Sequence, residues 1–213
     1  MSLAIVVNTC DYYHFAWKAW WHYLKKNWDP KYPIYFITNG TKDIDLPIKK
    51  TIRVDIQEVD LWSKRVSEGI KQVLEDDIFF LMEDLFITKP FKESEFKNIY
   101  DFFKRINADA LRITDTKYLT VHNTNFYVNN INIQKLDQRS RYLISYSPNI
   151  WKKSFLLYCL KENHSPWQGE MEVTKNLFDS GRDIYVYKKL DWYCNTCRQG
   201  KIVDEAKKLF DYE

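Results

Sequence analysis

Apolar residues arrive along this chain in two rhythms, and the change from one to the other marks out its elements. Residues 3–9 form an unbroken apolar run, as a buried strand does, and Asp11 follows at once. From about residue 13 to 26 the period lengthens, so that Tyr13, Trp17, Trp20 and Leu24 share one helical face. Pro30 and Pro33 bracket a loop, and residues 33–37 read as a second strand closed by Asn39-Gly40. Residues 51–56 alternate, as an outer third strand would. Asp60-Leu61-Trp62-Ser63 opens a helix to about Leu74, striped by Val66, Ile70 and Val73. After Asp76-Asp77 comes the most apolar strand in the chain, Ile78 to Met82, predicted to be central and covered on both faces. It ends in Glu83-Asp84. A helix at about 92–105 carries Phe96, Ile99 and Phe103, and Ala108 to Ile113 is a further strand.

The stretch 116–146 differs. Its short alternating pieces, Phe126-Tyr127-Val128 and Tyr142 to Tyr146, suit antiparallel or edge strands. Ser147-Pro148 predicts a helix start, with Ser as cap and Pro in the first turn, running through Trp151, Phe155 and Cys159. Residues 163–169 read as a loop, 170–179 as a helix, Ile184 to Tyr187 as a strand and 201–210 as a last helix. That helix ends close to the end of the chain, which suits a domain cut from something larger. Strand–helix alternation in the first half predicts an α/β domain with a mostly parallel, Rossmann-like central sheet between helices, and a small antiparallel subregion beside it. Ligands on such sheets sit beyond the strand C-termini. One domain is expected over 1–213, with a donor-binding half at about 1–115 and an acceptor-side half at about 116–213.

Bulk properties narrow the field. The 213 residues suffice for one sizeable core, with 45% hydrophobic and 29% charged positions. No apolar run is long enough to span a bilayer, and the N-terminus reads as a strand and not a signal peptide, so a cytoplasmic location is expected. The net charge of +3 is well mixed, without the clustered basic stripe of a nucleic-acid binder. Lysine pairs such as Lys25-Lys26 and Lys188-Lys189 favour an anionic ligand or a peripheral membrane contact only weakly. Cys10 and Cys159 read as buried small hydrophobes; Cys194 and Cys197 have CxxC spacing but no second pair, and read as structural. The 8 Trp and 15 Tyr exceed what a core alone requires and suit stacking on a base or a sugar.

The candidate chemistry sits at the strand ends. Glu83-Asp84, two carboxylates at the exit of a buried strand, is either a solvated turn or a site for a divalent cation on phosphate oxygens. Asp76-Asp77 lies at the opposite end of the same strand and reads as a connector. Asp11 suits hydrogen bonds to a base or ribose, or a helix N-cap. In Trp167-Gln168-Gly169-Glu170-Met171-Glu172 a glycine-hinged loop delivers carboxylates to a helix start, where one could act as a general base, with Trp167 against an acceptor sugar; acids in a first helical turn are also favourable by themselves. The histidines have no metal-ligand spacing, although His164, next to the acidic loop, could complete a metal shell.

In order, Thr9-Cys10-Asp11, Ile37-Thr38-Asn39, Leu61-Trp62-Ser63, Leu81-Met82-Glu83-Asp84-Leu85-Phe86, Ser147-Pro148-Asn149-Ile150-Trp151, Ser165-Pro166-Trp167 with Glu170, and Gln199-Gly200-Lys201 resemble GT-A-fold glycosyltransferases of the bacterial surface-polysaccharide and large-virus kind. The resemblance implies inverting transfer from a nucleotide diphosphate sugar, UDP-linked by preference, to a glycan hydroxyl, with Mn²⁺ or Mg²⁺ as cofactor. It implies substrate contacts at Thr9, Asp11, Asn39, Trp62, Glu83, Trp167 and Lys201. Asp84 would be the metal ligand, Glu83 a ribose or metal-water contact, Glu170 the base and Glu172 its understudy. The chain departs from the family pattern in having Leu85 and Phe86 where a further acid is usual. A catalytically inert nucleotide- or carbohydrate-binding domain of the same fold, and a nucleotidyl- or phosphotransferase, are the alternatives; the latter generally has a Gly-rich loop or basic cluster, which this sequence lacks.

Overall fold

The computed structural model describes residues 2–198 and 200–212. Its frame is a nine-stranded sheet in the order β3-β2-β1-β4-β9-β6-β10-β8-β7. The strands are β1 (Leu3–Thr9), β2 (Ile34–Thr38), β3 (Lys50–Arg53), β4 (Asp77–Met82), β6 (Ala110–Thr114), β7 (Val121–Val128), β8 (Ile131–Leu136), β9 (Asn149–Lys152) and β10 (Ile184–Lys188). Seven share one direction; β8 and β9 run against them. The mixed α/β class with a mostly parallel central sheet is as the sequence predicts. Two small antiparallel sheets add β5 (Leu85–Ile87) with β11 (Tyr193–Asn195), and β12 (Cys197–Arg198) with β13 (Lys201–Ile202).

Alternation along β4 shows why the sheet is covered twice. Phe79 and Leu81 join the core under α1 (His14–Asn27) and α3 (Glu93–Arg105). Ile78 and Phe80 join the core under α2 (Trp62–Ile70), α4 (Lys153–Cys159) and α5 (Pro166–Asn176). Trp17, Trp20 and Leu24 of α1 are buried as their spacing predicts, while Tyr13 lies in a short 3-10 turn ahead of that helix. At the N-terminal end of β4, Asp77 is buried, takes the hydroxyl of Tyr100 at 2.8 Å and pairs with Lys104 at 2.7 Å.

Four sequence expectations give way. Ser147-Pro148 does not open a helix: Asn149–Lys152 is β9, inserted antiparallel between β4 and β6, and α4 begins only at Lys153. Trp151 and Ile150 fill opposite faces of the sheet, and burial on both sides outweighs the local cap signal. Residues 142–146 form no strand but an irregular segment held by side chains. Residues 163–169 are not all loop, since α5 starts at Pro166 under a capping box of Ser165 and Gln168. Residues 201–210 are not an α-helix but β13 and a 3-10 turn over Asp204–Leu209. The expected antiparallel subregion is present as the β7–β8 hairpin at one sheet edge.

Candidate functional site

The C-terminal ends of β1, β2 and β4 open on one side of the sheet, where a cavity of about 710 Å³ lies. The start of β9 reaches the same edge because that strand is reversed, and so brings Ser145, Tyr146 and Ser147 into the wall. The amino end of α5 supplies Pro166, Trp167 and Glu170, and the segment around β11 supplies Tyr193, Asn195 and Gly200.

Glu83 and Asp84 form the turn that leaves β4, and both line the cavity. Glu83 is 5% exposed. The hydroxyl of Thr9 accepts the indole N–H of Trp17 at 2.7 Å and lies beside the Glu83 carboxylate, whose charged form it favours. Burial, and then the charge of Asp84, push Glu83 well above the usual carboxylate range, against the pull of Arg65 and Thr9. Burial pushes Asp84 up to about 6. Two crowded, desolvated acids gain most from a shared cation. Carboxylate oxygens are the hard ligands that Mg²⁺ or Mn²⁺ prefers, and these ions commonly complete their shells with water and phosphate oxygens. Two carboxylates on one turn are of the donor type that such an ion takes. His164 does not join them: among the described residues no group of three or more His, Cys, Asp or Glu is placed to hold a metal. Its backbone instead exchanges hydrogen bonds with Ser63. The residues after Asp84 build β5, whose partner β11 carries Asn195 to the cavity.

Glu170 stands on another wall of the cavity. It lies in the second turn of α5, not at a hinge, and Gly169 before it is a helix residue packed on Tyr146. Its carboxylate accepts the backbone N–H of Tyr146 at 2.9 Å, and the Ser145 hydroxyl lies near it. Burial raises its pKa; the Tyr146 N–H, the Ser145 hydroxyl and the charge of Arg112 hold the rise back. A depressed value, which a place at the helix start would give, is therefore not what the site has. Glu172 points away, since two residues are about 200° around a helix, and pairs with Lys175 at 2.9 Å.

The other expected residues divide. Asn39 and Trp62 line the cavity. Asn39 is locked to Gln57, whose amide nitrogen donates to the Asn39 carbonyl at 2.8 Å. Trp62 is buried against Tyr146, with ring centroids 4.9 Å apart. Trp167 stands 66% exposed at the rim. Asp11 lies in an adjoining hollow of about 330 Å³, and its carboxylate accepts the backbone N–H groups of Thr41 at 2.8 Å and Lys42 at 3.2 Å. It fastens the 40–42 loop and makes no helix cap. Lys201 sits on β13 and is absent from the cavity lining; Gln199, beside it in the sequence motif, lies outside the described residues. The β7–β8 hairpin contributes nothing to this lining either.

Sequence reasoning missed two arginines. Arg65 lines the cavity at 7% exposure, and its Nε has no hydrogen-bond partner among the described residues. Arg112, at 8% exposure, lies in the middle of β6. Each interrupts an apolar stripe or run, which is the signal that marks them. Tyr13 and Asn8 also face the cavity. The Tyr13 hydroxyl accepts the N–H of Gly200 at 2.9 Å, and burial pushes its pKa up to about 12. The CxxC cysteines are free thiols, Cys197 buried and Cys194 half-buried. No helix among the described residues is long and apolar enough to cross a membrane.

No family model and no curated protein sequence matches the chain. Solved structures do resemble it in fold. The crystal structure of S. aureus TarS gives a TM-score of 0.59 at 14% identity, over 91% of this chain and 36% of that one. TarS 1–349 in complex with UDP-GlcNAc gives 0.59 at 13% identity, over 95% of this chain and 60% of that one. CMP:2-keto-3-deoxy-manno-octonic acid synthetase complexed with CTP gives 0.53 at 11% identity, over 99% and 98%. The chain thus spans from about a third to three fifths of these TarS chains.

Proposed function

We propose that this chain is an inverting glycosyltransferase that moves a sugar from a nucleotide diphosphate sugar, UDP-linked by preference, to a hydroxyl of a glycan. One observation carries the reading. A half-buried carboxylate, Glu170, shares a single cavity with the carboxylate pair Glu83-Asp84 at the C-terminal edge of the sheet. The fold shared with TarS, crystallised with UDP-GlcNAc, supports a donor of that class.

The division of labour follows from the walls. Asn39 and Gln57, which line the cavity beyond β2, would take the base. Arg65 is a cation beside the acidic turn, with an unpartnered Nε for a phosphate or base oxygen. Glu83 and Asp84 would hold Mg²⁺ or Mn²⁺, which supplies charge stabilisation to the departing diphosphate. Glu170 accepts the proton of the acceptor hydroxyl as that oxygen attacks the anomeric carbon. A free alcohol is too weak an acid to ionise beforehand, so the base must work in concert with bond formation, and a carboxylate raised towards neutrality works better than an ordinary one. Trp167 at the rim offers an aromatic face to the acceptor sugar. A single displacement from the side opposite the diphosphate inverts the anomeric centre.

Nucleotidyl transfer fits the lining less well. The octonic acid synthetase of similar fold was crystallised with CTP. A triphosphate brings more negative charge than a diphosphate sugar, and Arg65 is the single cationic side chain in the lining among the described residues. Calorimetry with UDP-sugars, with and without Mn²⁺, followed by assay of UDP release with and without a glycan acceptor, tests the proposal. Binding with acceptor-stimulated release is expected. Failure of any nucleotide to bind at millimolar concentration with metal present overturns it, and binding without turnover on any acceptor or water points to an inert domain.

A further inference from the structure

We propose that Arg112 is a positioning residue for Glu170, acting with Asn149 to hold the segment that aims this carboxylate into the cavity. The inference rests on the reading of Glu170 as the base, but its geometry stands apart from that reading. Arg112 on β6 and Asn149 on β9 are direct partners in the antiparallel ladder. Both are buried, at 8% and 1% exposure. Arg112 donates from Nη1 to the carbonyl of Tyr142, and Asn149 donates from Nδ2 to the carbonyl of Ser145 at 3.1 Å. One register pair thus grips two carbonyls of the irregular 142–146 segment from below.

The same segment turns its donors towards α5. Ile144 gives its N–H to the hydroxyl of Thr174 at 3.0 Å, and Tyr146 gives its N–H to Glu170 at 2.9 Å. Positions 170 and 174 are one helical turn apart, and 144 and 146 are two residues apart, so the two bonds register the helix against the segment. The Ser145 hydroxyl, on the same segment, also favours the ionised form of Glu170. A chain of contacts therefore runs from the sheet ladder through 142–146 to the acid. Regular secondary structure could have secured these backbone groups; here buried side chains do so, and their removal would leave polar groups stranded.

Charge follows the same path. The groups facing Glu170 are Arg112 from β6, the Tyr146 phenol from the segment, and Glu83 and Asp84 in the same cavity; Tyr193 from β11 faces Arg112. Arg112 is the one cation among them. It favours the ionised acid, while burial works against both.

The test compares Arg112→Met, Arg112→Lys, Asn149→Ala and Glu170→Gln with the parent. Three quantities are read: UDP-sugar affinity by calorimetry, transfer rate against pH, and the Glu170 carboxyl band by infrared difference spectroscopy, identified as the band lost in Glu170→Gln. Arg112→Met should keep donor affinity, lose about tenfold or more in turnover, and move both the acid limb and the carboxyl titration to higher pH. Arg112→Lys, which keeps the charge and folds more readily, should restore the titration but only part of the turnover. Asn149→Ala should lower turnover without moving the titration. If Arg112→Lys and Arg112→Met both leave the Glu170 titration and the turnover at parental values, the proposal is overturned. A loss of donor affinity equal to the loss of turnover in Arg112→Lys overturns it too, since that marks general loosening. If Glu170→Gln retains transfer while the band still moves in Arg112→Met, the base assignment fails and the Arg112–Glu170 coupling survives.

Discussion

Thr196 is bound to Asp84 twice: its backbone N–H donates to the Asp84 carbonyl at 2.8 Å and its hydroxyl to the same oxygen at 3.0 Å. Thr196 is fully buried between β11 and β12, and the pair ties this late segment to the acidic turn that ends β4. Thr196→Val keeps the shape and the backbone bond and loses the hydroxyl bond. About 1 kcal/mol of stability should go with it. Urea unfolding should show a lower midpoint at unchanged slope, and Thr196→Ser should recover most of the loss.

The acidic turn itself makes the next prediction. Asp84→Ala should fold, because among the described residues Asp84 is joined to its neighbours through its carbonyl and not through its carboxylate. It should lose the metal-dependent part of UDP-sugar binding, a weakening of ~10-fold or more, or about 1.4 kcal/mol. Calorimetric titrations of the donor with and without Mn²⁺ give the measurement. A variant that responds to the metal as the parent does would place the cation elsewhere.

Gly169 offers a test of how closely α5 must approach the cavity wall. A Cβ at this position would lie 2.7 Å from the Tyr146 hydroxyl, which is buried and donates to the Cys159 carbonyl at 3.3 Å. Alanine gains up to about 1 kcal/mol in helix propensity, whereas overpacking costs about 1–3 kcal/mol. The second effect should win. Gly169→Ala is expected to lower the melting temperature and, because Glu170 is the next residue, to reduce turnover more than donor affinity. A variant at least as stable as the parent would mean that Tyr146 moves aside freely.

Much of this was legible in the sequence, and the parts that were not share a cause. β4 and its terminal Glu83-Asp84 stood out because a strand buried on both faces needs a continuous apolar run, and a charge ending it is conspicuous. β9 was hidden because its four residues carry no period of their own and follow a Ser-Pro pair that is locally a helix start. Its place between β4 and β6 depends on contacts with residues some forty to seventy positions away. Asn39 and Trp62 could be placed from strand and helix ends alone. Asp11 and Lys201 could not, since loop closure at 40–42 and the β12–β13 hairpin decide where they sit. Arg65 and Arg112 were overlooked because arginine is normally a surface residue; an arginine inside an apolar stripe warranted the opposite reading.

Glu170 carries the last prediction. Because burial raises its pKa above that of an ordinary carboxylate, transfer should show an acid limb at higher pH than an ordinary carboxylate base would give, with activity lost as pH falls through the folded-state value. Stability should run the other way. Between the unfolded-state pKa and the higher folded-state one, the native protein holds the proton more tightly, so this group's contribution is best at low pH and declines as pH rises through that window. Glu170→Gln keeps the shape and can still accept the Tyr146 N–H, but it cannot take a proton. Its turnover should fall by about 10²-fold or more, with UDP-sugar affinity near the parent's, because the proposed donor site lies against the ends of β1, β2 and β4. Its melting temperature at neutral pH should equal or exceed the parent's, since a partly desolvated charge has been removed. Glu172→Gln, which loses only an exposed pair with Lys175, should leave turnover nearly intact. Rate profiles over pH for the three proteins, with thermal melts at the same pH values, check every part of this. Near-parental transfer by Glu170→Gln together with loss in Glu172→Gln would exchange the two roles. Indifference to both substitutions would end the single-displacement reading.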